Sequence, residues 1–414
     1  MEATAEITAA VKNVPALRFP EFKGEWEKVP LKDRMDIFRG ASPRPKGDPR
    51  YYGGSVPRLM IQDVTRDGKY AYPCIDYLTE EGAKLSRYLK AGSVVLSCSG
   101  TVVAIPGILG IDACIHDGFL GFRNFKETFD EYLYYLFVKL HEKLQGEATT
   151  GGVFNNLTTD IARNLIMGFP SLAEQQKIVL YLSTVDDKIQ QLSKKKELLE
   201  KYKKGVMQQL FSQQIRFKDD NGNDFPEWEE KELSQVAKRV TLKNKKNDIN
   251  FVLTNSATQG IVSQQDYFEK DIANQENLEG YYVVDVDDFV YNPRISTAAP
   301  VGPIKRNKLA KGVMSPLYTV FRFEKQNLEF LEFFFETTVW HRYMKSVANY
   351  GARHDRMSIT NDDLLGLPIP IPCRAEQQKI TAFLSAVENK LYFTTTQLDQ
   401  AQLFKKGLLQ KMFV

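Results

Sequence analysis

The 414-residue chain is poor in cysteine and histidine and has no long apolar run, and each shortage closes off a class of function. Its four cysteines, Cys74, Cys98, Cys114 and Cys373, are scattered and form no C-x-x-C pair, so neither a zinc knuckle nor a thiol redox motif is encoded. They read as buried thiols. The four histidines, His116, His141, His341 and His354, show no H-E-x-x-H or other metal spacing. No stretch approaches the roughly 20 apolar residues that span a bilayer, and the opening from Met1 to Val11 is acidic and lacks a basic signal-peptide start, so a cytoplasmic protein is expected. There is no Gly-x-x-x-x-Gly-Lys-Ser/Thr phosphate loop, which excludes an ATP-driven motor of that type in this chain. A large charge excess is lacking too: +3 over the whole length does not by itself announce a nucleic-acid partner.

The composition, 43% hydrophobic and 26% charged, is that of a globular protein, and the length suits two or more domains. Charge is uneven along the chain. Residues 39–58 hold Arg39, Arg44, Lys46, Arg50 and Arg58 against Asp48 alone. Residues 238–246 hold Lys238, Arg239, Lys243, Lys245 and Lys246 with no acid, and 294–311 hold Arg294, Lys305, Arg306, Lys308 and Lys311 with none. Any one patch is equally well a solvated surface.

An internal repeat organises the rest. Ala-Glu-Gln-Gln-Lys-Ile occurs at 173–178 and again at 375–380, an offset of 202 residues. The same offset carries Lys203-Lys204-Gly205 onto Lys405-Lys406-Gly407, Phe211 onto Phe413, and Glu25-Trp26 onto Glu227-Trp228. Each unit opens with a Phe-Pro-Glu and Trp segment, runs through a long middle that differs between the copies, meets a Pro-rich joint and closes with the shared segment. Two modules on one frame, each reading something different, have this form.

The closing segments are helical by period. Stepping 4, 3, 4, 3 from Ile178 gives Leu182, Val185, Ile189, Leu192, Lys196, Leu199, Lys203, Val206 and Leu210. From Ile380 the same steps give Leu384, Val387, Leu391, Thr394, Leu398, Ala401, Lys405, Leu408 and Met412. Both are heptad seams in one register, and the preceding proline and the first-turn acids Glu174 and Glu376 suit helix starts. At about 1.5 Å per residue, some 40 residues reach roughly 60 Å. If the seams pair antiparallel, the two modules lie at opposite ends of a rod; sequence leaves a parallel pair, packing of each helix on its own domain, or a dimer of chains open. The boundaries expected are an N-terminal extension at 1–16, a first module at 17–171, its helix at 172–212, a second module at 213–372 and its helix at 373–414.

A rod with a reading head at each end, near two turns of B-DNA at about 34 Å per turn, is a ruler for a two-part site. The order of module, joint, helix, module and helix resembles the specificity subunits of type I restriction-modification systems over nearly the whole chain. In the first module Ala41-Ser42-Pro43-Arg44-Pro45, Tyr51-Tyr52-Gly53-Gly54, Val56-Pro57, Asp63 and Ser97-Cys98-Ser99-Gly100-Thr101 are similar to that family's target recognition domains. In the second, Gly260-Ile261-Val262, Asp266-Tyr267-Phe268, Tyr291-Asn292-Pro293-Arg294 and Ser315-Pro316-Leu317-Tyr318 are.

The resemblance implies an α+β architecture: two mixed α/β recognition domains separated by a pair of long coiled-coil helices with pseudo-twofold symmetry. It implies a chain without an active site that binds double-stranded DNA and holds two methylation subunits acting on adenine N6. Restriction subunits, up to two, join them. S-adenosylmethionine, ATP and Mg then belong to the partners and no cofactor to this chain. The residues agree on catalysis. An adenine methyltransferase needs an Asp/Asn-Pro-Pro-Tyr/Phe motif, and Asn292-Pro293-Arg294 lacks the second proline and the aromatic.

Base reading calls for Arg, Asn or Gln on base edges, and Lys or Arg on phosphate. The candidates in the first module are Ser42, Arg44, Lys46, Arg50, Tyr51 and Tyr52, on a loop rich in Pro and Gly. In the second they are Lys243, Lys245 and Lys246 for phosphate, and Arg294, Lys305, Arg306, Arg353, His354 and Arg356 for bases or phosphate. Gln175, Gln176, Gln377 and Gln378, repeated at both joints, are candidate contacts for a partner that binds each half. A coiled-coil adaptor without DNA, or a self-contained modification enzyme, are the rival readings; the first leaves the unlike modules unexplained and the second lacks its motifs.

Overall fold

A computed structural model describes residues 13–99, 103–149, 157–268, 278–349 and 355–414. The chain divides into two compact units: one runs up to Ser193 and takes in Thr396–Val414, the other is Lys194–Thr395. Each of the two long helices, Leu172–Phe211 and Arg374–Met412, contributes a part to both.

In the first unit, strand Glu27–Pro30 pairs antiparallel with Ile166–Phe169, which leads straight into the long helix. A five-stranded sheet follows in the order Asp36–Arg39, Phe119–Arg123, Val94–Ser97, Pro106–Leu109, Tyr70–Ala71. Val94–Ser97 is buried at all four positions, as an apolar, β-branched strand covered on both faces must be. A second sheet, in the order Asp76–Leu78, Tyr52–Leu59, Ala113–Ile115, Arg87–Leu89, completes the module. Helix Asp130–Thr149 adds Tyr132, Leu133, Tyr135, Leu136 and Phe137 to the core.

The second unit repeats this plan on different residues. Glu229–Glu232 pairs with Pro368–Ile371, each bound lying 202 residues beyond its counterpart. The sheet order Ala237–Arg239, Thr319–Phe323, Phe289–Tyr291, Ile304–Arg306 matches the first four strands of the five-stranded sheet. The remaining strands form two separate pairs, Leu253–Ser256 with Gly260–Ser263 and Tyr282–Val284 with Gly312–Met314, so the middles differ in build as well as in sequence. Helix Leu328–Glu336 buries Phe330, Leu331, Phe333, Phe334 and Phe335.

Within the first unit, Ile178, Val179 and Leu182 at the start of one long helix share a core with Leu408, Leu409, Met412 and Phe413 at the end of the other. Within the second, Ile380 and Leu384 share a core with Met207, Leu210 and Phe211. Start meets end in both units, so the pairing is antiparallel. Ile178, Leu182, Leu192, Leu210, Ile380, Leu384, Val387, Leu398, Leu408 and Met412 are buried, and Val185, Ile189, Leu199, Val206 and Leu391 half-buried. No helix among the described residues is long and apolar enough to cross a membrane.

Candidate functional site

The shared Ala-Glu-Gln-Gln-Lys-Ile segment is an internal bracket. Glu174, 1% exposed, receives Arg18 Nε and Nη2, both at 2.8 Å, and Trp26 Nε1 at 3.3 Å. Glu376, fully buried, receives Arg216 Nε at 3.1 Å, Nη2 at 2.9 Å and Trp228 Nε1 at 2.9 Å. A carboxylate out of water needs such a bidentate partner, and the pairing in turn raises the pKa of both arginines. Trp26 meets Phe413 edge-on at 6.3 Å, and Trp228 meets Phe211 at 6.4 Å, so the bracket ties each module to the end of a long helix.

The glutamines divide. Gln175 is buried, donating Nε2 to the carbonyls of Glu127 and Pro170 and accepting from Phe129 N; Gln377 is buried and donates to the Pro372 carbonyl. Both are spent on closing the Pro-rich joint, which corrects the expectation that they face a partner. Gln176 and Gln378 are exposed.

In the first module the loop after strand Asp36–Arg39 is laid against Ile115–Asp117. Only glycine fits at position 40, because a Cβ there would stand 2.1 Å from the His116 carbonyl oxygen and 2.6 Å from that of Ile115. Four of the six expected residues, Ser42, Arg44, Lys46 and Tyr52, line one cleft of about 460 Å³. Arg58, Asp76, His116 and Asp117, which sequence reasoning did not single out as contacts, line it with them. The Ser42 hydroxyl donates to Asp117 Oδ1 at 2.6 Å and accepts from Arg58 Nη2 at 2.9 Å, while Arg58 Nη1 binds Asp76 Oδ2 at 2.5 Å. Asp117 is held below the usual carboxylate range by that Ser42 hydroxyl, against its partial burial. Burial, and next the positive charge of Arg58, pull the His116 imidazole below its ordinary pKa. Arg44 reaches Asp117 at 3.6 Å but is 72% exposed, and Lys46 is exposed. Tyr52 is structural: its hydroxyl donates to the Pro43 carbonyl and its ring packs 5.4 Å from the Arg58 guanidinium. Arg50 and Tyr51 do not line the cleft; Arg50 pairs with Asp48 at 2.8 Å and lies over the Tyr51 ring. The motif residues Gly100 and Thr101 lie outside the described residues.

In the second module Lys243, Lys245 and Lys246 are exposed and have no ion-pair partner among the described residues. Buried Asn244 builds their loop, donating to the Ile249 carbonyl and accepting from Ile249 N. Arg294, exposed, is brought by an antiparallel bridge against Arg356, so two residues 62 apart in sequence meet. Lys305 is half-buried without an ion pair among the described residues. Arg306 is a correction: Asp287 at 2.6 Å and Glu332 at 3.4 Å take up its guanidinium. Lys308 and Lys311 are likewise neutralised by Glu332 and Asp285, so the patch that holds no acid in sequence receives acids through the fold. Arg353 and His354 lie outside the described residues. No group of His, Cys, Asp or Glu among the described residues could hold a metal ion.

Each of the two modules is built on the same bracket and packed on an antiparallel pair of long-helix ends, while their middles differ. The type I restriction modification DNA specificity domain matches the chain twice, over residues 23–201 and 226–403. The type I restriction enzyme MjaVIII specificity subunit of Methanocaldococcus jannaschii is 22% identical over 96% of this chain and 93% of its own length. The MjaIX specificity subunit of the same organism is 26% identical over 52% of each chain, so this chain spans about half the length of that relative. Among solved structures, the type I restriction-modification S subunit from M. genitalium superposes with a TM-score of 0.55 at 13% identity, covering 97% of this chain and 99% of that one. A chain from a study of complex assembly and conformational transition of the type I R-M system gives 0.57 at 16%, covering 94% and 97%. At such identities the structural likeness is one of fold. The chain belongs to the type I restriction-modification DNA specificity family.

Proposed function

We propose that this chain is the non-catalytic subunit that reads a bipartite DNA target, each module recognising one half and the antiparallel helix pair setting the unread spacer. The observation that carries this is the combination of a frame made twice with the same three side chains, Arg18–Glu174–Trp26 and Arg216–Glu376–Trp228, with loops that are not repeated. Identical frames position; unlike loops discriminate.

The helix pair docks two methylation subunits that modify adenine N6, with S-adenosylmethionine, and ATP and Mg for any restriction subunits, bound by those partners. Tyr202 and Phe404, one repeat apart, are 49% and 52% exposed, and Gln176 and Gln378 face out as a second repeated pair. Large aromatics left in water at equivalent positions suit one partner bound twice.

Genome-wide mapping of methylated adenines, with the wild-type chain and with residues 39–58 replaced by another module's loop, tests the reading. A two-part motif of which one half changes is expected. A continuous motif, or two unchanged halves, would overturn it.

A further inference from the structure

We propose that Arg58 and His116 on the floor of the first module's cleft are its base-reading pair, and that they take the two-acceptor edge of a guanine. This rests on the DNA-reading role above and names the chemistry of one contact within it.

Arg58 is 6% exposed and fixed at both terminal nitrogens, by Asp76 and by Ser42, yet its Nε–H has no acceptor among the described residues. His116 Nδ1 accepts from Gly118 N at 2.8 Å, so the neutral ring carries its proton on Nε2, and that N–H is also buried without a partner among the described residues. A buried donor left unmet costs free energy. Here both side chains line one cleft, and in both the rest of the side chain is held by other bonds. The pair therefore offers donors only, and the acceptors nearby, Asp76 and Asp117, are already engaged by Arg58 and Ser42.

Guanine presents N7 and O6, both acceptors, on its major-groove edge; adenine presents an acceptor beside an N6–H₂ donor, which would meet another donor here. A phosphate is the poorer fit, because Asp76 and Asp117 stand in the same cleft and would repel it. The exposed Arg44 and Lys46 at the rim have the placement for backbone contact instead.

The test maps methylated adenines in cells carrying the complete system with the full-length chain as wild type, Arg58→Gln or His116→Asn. The target is then rebuilt as duplexes for binding by the purified complex. Relaxation at one G·C position of one half-site, with the other half unchanged, is expected, and discrimination there should fall roughly 5- to 150-fold while non-specific affinity holds. An unchanged motif in both variants would overturn the proposal, as would equal weakening on every sequence, the mark of a phosphate contact. Retention of the second half-site and of the melting temperature reports folding. If Arg58→Gln fails that check, His116→Asn decides alone. A wild-type motif that is not bipartite would instead overturn the underlying function, which separates the two failures.

Discussion

Lys405 Nζ lies 2.6 Å from Asp186 Oδ1, and 202 residues away Lys203 Nζ lies 2.6 Å from Glu388 Oε1: the same ion pair is made once in each unit. Both lysines occupy seam positions where the heptad pattern asks for an apolar side chain, and they are only 20% and 16% exposed. A cation there is tolerated opposite its acid and penalised one heptad away, so the pairs favour a single register of the helices. Lys405→Ala is expected to destabilise the protein by about 1–2 kcal/mol, since Asp186 keeps the Tyr135 hydroxyl at 2.7 Å. Urea denaturation of the single variants and of Lys405→Ala/Asp186→Asn checks this. The second substitution should cost less in the presence of the first, and strict additivity would count against the pair.

Breaking a bracket is expected to cost more than breaking a seam pair. Glu174→Ala removes the acceptor of Arg18 and Trp26 at a site 1% exposed and leaves the arginine, 14% exposed, without its carboxylate. A loss of about 3 kcal/mol is expected, and with it a fall of roughly 6–12 °C in melting temperature for a unit of this size. Glu376→Ala should act equally on the second unit. Calorimetry of the two variants checks both, and a fall of under a few degrees in either would mean that its bracket is dispensable.

The frame is legible in the sequence because it is local and repeated. The heptad steps from Ile178 and Ile380 and the copied Ala-Glu-Gln-Gln-Lys-Ile name the helices and their register, and Lys203 and Lys405, with Lys196, already stand out as the charged positions of the seams. What the sequence hides is pairing at a distance. Arg306 has no acid near it along the chain, yet Glu332, 26 residues on, folds against it, and the reach of Gln175 to the Glu127 carbonyl turns that side chain inward. The cleft is half legible: Ser42, Arg44 and Lys46 announce a basic loop, while His116 and Asp117 arrive from a segment some 75 residues away that carries no basic patch. Base-reading residues on loops obey no period, so nothing but the tertiary contact identifies them.

His116 sets a pH dependence with a definite sign. Its pKa is lowered in the folded chain, first by burial and then by Arg58, with Asp117 and Asp76 pulling the other way. The neutral ring is thus favoured by folding. Its contribution is present above the ordinary histidine value of about 6.5 and is lost as pH falls from there through the lowered folded value. Burial lowers His341 too, in the other unit, so the wild type is expected to lose stability twice over as pH falls below about 6.5. His116→Asn, which keeps an acceptor for Gly118 N, should show a shallower loss in the same window. Parallel stability curves for the two proteins would rule out the assigned contribution.

The charges of the second module separate backbone contact from architecture. Lys243, Lys245 and Lys246 are exposed with no acid paired to them among the described residues, whereas Arg306 is enclosed by Asp287 and Glu332. Each lysine bound to a phosphate releases a counterion, so replacing all three by alanine should weaken binding to specific and non-specific duplexes alike. It should also reduce the slope of log K against log salt by up to about 2.7. Arg306→Ala should leave that slope unchanged and lower the stability of the second unit by about 1–3 kcal/mol, because two carboxylates lose their cation. Salt titration of binding and chemical denaturation, run on both variants, read the two effects independently. A salt slope that moves with Arg306 and not with the three lysines would reverse the assignment and place the DNA backbone along strand Ile304–Arg306.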